Sequence, residues 1–255
     1  MRSEAAVLGG LNHPSIVRLV DHGVVAGRGA HSGRPYLVQE LALGSSLAET
    51  IRLERARPGE VALWARSLFD ALAHLHSNGL VHRDIKPANL MLSGLRRSPV
   101  RIIDFGIVAS TGSAAEPGIS SGTVHYMSPE QASGGVAAPS WDVYAMGLVL
   151  LELLTGSKAF PGTAIESLVA RTLRSPEVPD LLGEWALLLR HLTAMDPGER
   201  PTAAAAAEMA ARLIPTVDSS RHGNQGPRGS WGAQMVSGPC PAMRAFPPRR
   251  HRQQD

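Results

Sequence analysis

Apolar residues recur at Val61, Trp64, Leu68, Leu72 and Leu75, a spacing of three and four that lines one face of a helix. The run ends at Asn78-Gly79, a pair suited to stop a helix, and the Trp and Leu stripe is core rather than a ligand box. Between 145 and 156 the segment AMGLVLLELLTG is apolar on every side, which predicts a helix buried nearly all round. It contains Glu152 and is too short to span a bilayer. β-branched and apolar runs at 16–20 and 35–41 flank the glycine-rich stretch GVVAGRGAHSG at 23–33, predicting two antiparallel strands joined by a flexible turn. A short strand is expected over VRII at 100–103. The alanine-rich stretch from Thr202 to Leu213 predicts a last helix, stopped by Pro215, and the domain is expected to end at 214.

With 255 residues, 44% of them hydrophobic, the chain can bury one substantial core. Its formal charge of +3 at first points to nucleic acid, so the position of that charge matters. From Ser219 to Asp255 there are six arginines against one aspartate, and the residues before them carry 19 basic and 21 acidic side chains. The basicity therefore belongs to a Gly, Pro and Arg-rich tail over 215–255, expected to be disordered. Its composition favours a solvated linker over an arm that grips RNA or an acidic partner, so no specific nucleic-acid partner is expected. Cys240, the only cysteine, lies in that tail and excludes a disulfide scaffold, a zinc site or a thiol nucleophile within the chain. No secretory signal opens the sequence, and a cytoplasmic setting is expected.

The chemistry lies in HRDIKPAN at 82–89 and DFG at 104–106, the latter following VRII. Phosphoryl transfer needs a carboxylate to orient a hydroxyl, a cation near the transferred phosphate and oxygen ligands for magnesium. Asp84, Lys86, Asn89 and Asp104 supply these in order. Any one alone reads as a loop turn or helix cap, but the ordered set resembles the catalytic centre of the eukaryotic-like, bacterial-type serine/threonine protein kinases. The resemblance continues through SGTVHYMSPEQ at 121–131, DVYAMG at 142–147 and DPGERPTA at 196–203.

The resemblance implies an α+β, protein kinase-like fold: a mainly helical large lobe over 43–214, and a small lobe and hinge over 1–42. Only the family's helix C and its fourth and fifth strands are expected in that small lobe, because its glycine-rich loop and strand lysine have no counterpart here. The chain's two lysines, Lys86 and Lys158, sit elsewhere in the pattern. By the same resemblance Glu4 is the acid that partners the family's nucleotide lysine, although a dipole-stabilising surface charge explains it equally well. Gln39 takes the gatekeeper position, Glu40 to Ala42 the adenine-binding hinge, and Met91 the floor under adenine. Asp84 orients the substrate hydroxyl, Lys86 stabilises the γ-phosphate, Asn89 and Asp104 hold magnesium, and Thr123 bonds Asp84 and Lys86. Lys86 marks serine/threonine specificity. Asp142 braces the catalytic-loop backbone, Arg200 pairs with Glu130, and Phe105, His82, Leu8 and Leu19 form a stacked spine. Arg83 implies control by a phosphate on the activation segment, at Ser120 or Ser121 ahead of Thr111 or Ser113; a flexible serine-rich loop is the equal alternative.

The expected activity is ATP- and magnesium-dependent phosphorylation of Ser and Thr in protein substrates, with autophosphorylation. The alternative is a catalytically impaired, kinase-like fragment or pseudokinase serving as an interaction module. A small-molecule phosphotransferase on a related fold shares the aspartates and asparagine, but Thr123, SPE and Arg200 argue for a peptide-binding segment. Oligomeric state is not readable from the chain.

Overall fold

A computed structural model describes residues 9–53, 56–95, 98–105, 109–113 and 123–215. Glu4, Leu8, Ser120, Ser121 and the 215–255 tail beyond Pro215 lie outside the described residues.

Strands β1 (Leu19–Val24) and β2 (Pro35–Gln39) pair antiparallel, with an irregularity in register between Leu19 and Asp21. The first strand thus begins three residues later than the 16–20 run predicts. Ile16 and Val17 are apolar for another reason: both are buried, Val17 donates its N–H to the Ile102 carbonyl at 3.1 Å, and Ile102 donates back to Ser15 at 2.9 Å. The second strand stops at Gln39, and Leu41 and Leu43 beyond it are exposed.

Next come β3 (Ser45–Ser46) and α1 (Leu47–Leu53). Gly44 precedes them at φ +130°, where a Cβ would stand 1.8 Å from the Leu92 carbonyl oxygen, so the close backbone crossing admits glycine alone. Helix α2 (Pro58–Ser77) follows, then β4 (Leu80–Val81), β5 (Leu90–Leu95), β6 (Ser98–Ile102) and β7 (Ala109–Ser110). The sheet order is β3-β5-β6 in one small antiparallel sheet, while β4 pairs with β7 in another. The remaining helices are α3 (Pro129–Ala132), α4 (Pro139–Thr155), α5 (Ala164–Leu173), α6 (Glu184–Leu192) and α7 (Ala203–Arg212).

Helix α2 buries Val61, Leu68, Phe69, Leu72 and Leu75 against α4, α7 and β6, with Trp64 half-buried at the edge. Each such Leu or Phe contributes about 1.5–3 kcal/mol on leaving water. The facing residues of α7 are Ala203, Ala206 and Ala210, all buried, and their small side chains let the two helices approach closely. Helix α4 is buried without interruption from Trp141 to Leu153, as an all-round apolar run requires, and ends at Gly156 in the left-handed conformation. Within it, a Cβ on Gly147 would stand 2.8 Å from the Thr193 methyl and 2.9 Å from Leu192 Cβ, so glycine sets the packing distance to the end of α6. This central helix fixes the position of everything that follows.

Candidate active site

The stop at Asn78-Gly79 turns the chain from α2 into β4, and the loop from His82 to Lys86 connects β4 to the 3-10 turn Pro87–Asn89 ahead of β5. Helix α4 braces that loop. In its first turn the Asp142 carboxylate accepts the backbone N–H of His82 at 2.8 Å and of Arg83 at 2.9 Å, and meets His76 Nε2 at 2.9 Å. Arg83 sits at φ 66°, an uncommon conformation for a residue with a side chain. It is held there from both sides, because Gln131 Nε2 donates to its carbonyl at 2.9 Å. Burial alone would raise the Asp142 pKa, but the hydrogen bond and charge of His76, the charge of His82 and the His82 N–H outweigh it, and the carboxyl is held below its ordinary value.

His82 is fully buried, lies edge-on to the Phe105 ring at 5.0 Å and accepts the Asp84 N–H on Nδ1 at 3.3 Å. Burial pushes its pKa down. Two of the four residues expected to stack, His82 and Phe105, are therefore in contact, and Leu8 lies outside the described residues. Leu19 joins Phe105, with Gln39, in the wall of one small cavity.

Asp84 is almost entirely buried, and its Oδ2 accepts both the Lys86 ammonium at 2.7 Å and the Asn89 amide at 3.0 Å. Asn89 Nδ2 also donates to the Asp84 carbonyl at 3.0 Å. The Asn89 amide nitrogen is thus committed to Asp84. The Ile103 N–H bonds the Asn89 carbonyl at 2.9 Å, which brings the next residue, Asp104 at φ 62°, alongside. An amide oxygen and a carboxylate on adjoining backbone are hard oxygen donors of the kind magnesium takes, so the donor set fits that ion. Among the described residues no group of three or more His, Cys, Asp or Glu side chains gathers as a metal cluster.

Gln39, Glu40 and Ala42 fall in a separate stretch, while Met91 and Thr123 lie further along the chain. Gln39 ends β2 and is half-buried. The Glu40 carboxylate accepts the Arg18 N–H at 2.9 Å and pairs with the Arg101 guanidinium, which also donates to the Ile16 carbonyl at 3.1 Å. That N–H first, then Arg101, keeps the Glu40 pKa low against the opposing effect of burial. Ala42 packs on the main core, and Met91 lies on β5 opposite Ser46 and Arg101. Thr123 opens the 3-10 turn Thr123–Tyr126, but its side chain, with the expected bonds to Asp84 and Lys86, lies outside the described residues.

Arg200 and Glu130 form the expected pair in two-pronged form, Nη2 to Oε1 at 2.6 Å and Nη1 to Oε2 at 3.0 Å. Arg200 also donates to the Ala194, Ser140 and Met195 carbonyls and lies over the Tyr144 ring at 4.7 Å. Sequence reasoning missed three contacts: His76 to Asp142, Arg101 to Glu40, and the Tyr126 hydroxyl to Glu152 at 2.6 Å. Of these only Glu152 left a signal, as the one acid inside an otherwise apolar helix.

Comparison with known proteins assigns a class to this arrangement. The protein kinase domain family matches residues 1–210. The chain is 35% identical over 211 residues to the serine/threonine-protein kinase PrkC of Bacillus subtilis, covering 78% of this chain and 31% of that protein. It is 36% identical over 182 residues to the serine/threonine-protein kinase PknB of Mycobacterium leprae, covering 70% of this chain and 29% of the relative. A third relative, PknB of Mycolicibacterium smegmatis, is 34% identical over 224 residues, with 84% and 35% covered. The chain belongs to the protein kinase family, among its bacterial-type serine/threonine members. It spans about a third of the length of these relatives. No helix among the described residues is long and apolar enough to cross a membrane.

Proposed function

We propose that this chain carries the catalytic centre of a serine/threonine protein kinase that transfers the γ-phosphate of ATP to Ser and Thr hydroxyls of proteins. The observation that carries the reading is the junction at Asp84, where one buried carboxylate is gripped by Lys86 and Asn89 on a loop whose backbone Asp142 holds from α4. Such a carboxylate has little freedom to reorient, which is what positioning a hydroxyl demands. The substrate oxygen bonds to the γ-phosphorus, the bond from that phosphorus to the β-γ bridging oxygen breaks, ADP leaves, and the hydroxyl proton passes to Asp84. Lys86, held beside Asp84, offsets charge on the phosphoryl oxygens. Asn89 and Asp104 would hold magnesium, which when bound neutralises phosphate charge. The backbone of Glu40 to Ala42 would receive adenine, with Gln39 behind it and Met91 beneath it. Glu4 and Thr123 keep the roles that the family pattern gives them.

The test is transfer of labelled phosphate from ATP to a mixed-sequence acceptor protein, followed by phosphoamino-acid analysis. Label is expected on serine and threonine, with loss of at least a hundredfold in Asp84→Asn. Equal transfer by Asp84→Asn, or label on tyrosine, would overturn the assignment. No transfer by well-folded protein would favour the alternative, a kinase-like interaction module.

A further inference from the structure

The segment that follows Thr123 is tied to two helices by groups the phosphoryl-transfer reading does not use. Tyr126 reaches Glu152 on α4, and Arg171 on α5 donates to the Met127 carbonyl at 2.5 Å. Arg171 is completely buried, and its other hydrogen bonds go to the Ser167 carbonyl at 3.1 Å and the Ser167 hydroxyl at 2.7 Å. No carboxylate is among those partners. Its guanidinium lies over the Phe160 ring at 5.4 Å, and Arg174 lies over the same ring at 5.7 Å. Lys158, exposed on the loop between α4 and α5, hydrogen-bonds nothing among the described residues. Its charge and that of Arg171 both bear on His125, whose Nδ1 is buried without a partner.

Arg171 and Arg174 thus meet at Phe160, two residues after Lys158, and a cleft of about 320 Å³ is lined by Lys158 and Arg174 together with Leu151, Thr155, Pro161 and Pro179. The acid in its lining, Glu177, is almost fully exposed and only 3.4 Å from Arg174, a weak opponent to that charge. Thr155 lies three residues beyond Glu152, about 5 Å along the helix axis, so the cleft adjoins the segment that Tyr126 anchors.

We infer that this cleft docks an acidic segment of the protein substrate, with Lys158 and Arg174 contacting its carboxylates. The inference rests on the kinase reading for the identity of its partner. Charge complementarity carries it: a flexible ammonium and a planar guanidinium converge on a concave surface, with a third, buried cation raising the local potential behind them. The two lining cations differ usefully, because Arg174 can grip one carboxylate with two hydrogen bonds while Lys158 follows its neighbours along a chain. Contacts of this kind govern partner choice and encounter rate more than raw affinity.

Fluorescence anisotropy tests this without turnover. A labelled peptide with glutamates flanking an acceptor serine is expected to bind at least tenfold tighter at low salt than the same peptide with glutamines. Lys158→Ala should narrow that difference, and Lys158→Glu with Arg174→Glu should abolish it while leaving binding of the glutamine peptide unchanged. In transfer assays the same variants should raise KM for the acidic peptide with kcat retained. Equal binding of the two peptides, or discrimination that survives in the double variant, would overturn the inference. Discrimination without phosphate transfer would support docking and count against the catalytic reading alone.

Discussion

Asp142 in the first turn of α4 holds the backbone N–H of His82, a residue 60 positions earlier, at 2.8 Å, and the next N–H, of Arg83, at 2.9 Å. Because the adjoining Arg83 occupies φ 66°, the loop has no intrinsic preference for this shape. Asp142→Asn keeps the volume but swaps one acceptor oxygen for a donor facing a buried N–H or His76. A loss of about 1–3 kcal/mol is expected in urea unfolding, with a larger proportional fall in phosphate transfer than the stability change explains. Transfer at the wild-type rate would show that Asp142 does not position the loop.

The Arg200 side chain to Glu130 pair fastens the segment after Tyr126 to the loop before α7. Arg200 is buried and donates to three carbonyls besides the carboxylate, a geometry that a single ammonium cannot copy. Arg200→Ala should cost about 3–5 kcal/mol, since it leaves Glu130 unpaired among groups arranged for a cation. Arg200→Lys should recover only part of that. A double-mutant cycle with Glu130→Gln measures the pair itself, and a coupling near zero would show that Arg200 acts through its carbonyl contacts instead.

Tyr126 and Glu152 form a second fastening, between the segment and α4. Burial first, and the neighbouring carboxylate second, push the tyrosine pKa far above its ordinary value, so the hydroxyl remains a donor at any working pH. Tyr126→Phe should cost about 1–3 kcal/mol by stranding Glu152, and pairing it with Glu152→Met should recover most of the loss. Stability unchanged in Tyr126→Phe would mean that Glu152 finds another donor.

The elements legible in the sequence were those whose pattern is local. The stripe from Val61 to Leu75, the all-apolar run around Leu150 and the alanine-rich stretch after Thr202 each announce a helix from within their own residues, and each is found. The run at 16–20 misled because a strand facing a core and a loop inserted into one look alike in apolarity; only the long-range pairing of Ile16 and Val17 with Ile102 distinguishes them. Asp84, Lys86 and Asn89 meet because they stand within six residues of one another, and β5 with β6 returns the chain at Ile103, one residue before Asp104, to the Asn89 backbone. His76, Arg101 and Tyr126 carried no such signal. Their partners lie 66, 61 and 26 positions away, and a lone histidine or arginine at such a distance reads as ordinary surface.

The buried histidines give the last prediction. Burial holds His82 below its ordinary pKa of 6.5, and His13 and His125 are shifted the same way, again by burial first. Between each lowered value and 6.5 the unfolded chain binds more protons than the folded one, so stability rises with pH across that window. The contribution is fully present above about 6.5 and is lost as pH falls through the folded-state values. Asp142, also lowered, contributes above 3.8 and loses its share only in stronger acid, so it does not shape this window. Urea unfolding at intervals from pH 5 to 7.5 should therefore show stability falling as the solution is acidified. His82→Phe keeps an aromatic ring against Phe105 and removes one titrating group, so its slope should be shallower by up to about 1.4 kcal/mol per pH unit, while His13 and His125 retain the rest. Parallel slopes for the two proteins would show that His82 takes up its proton without loss of structure.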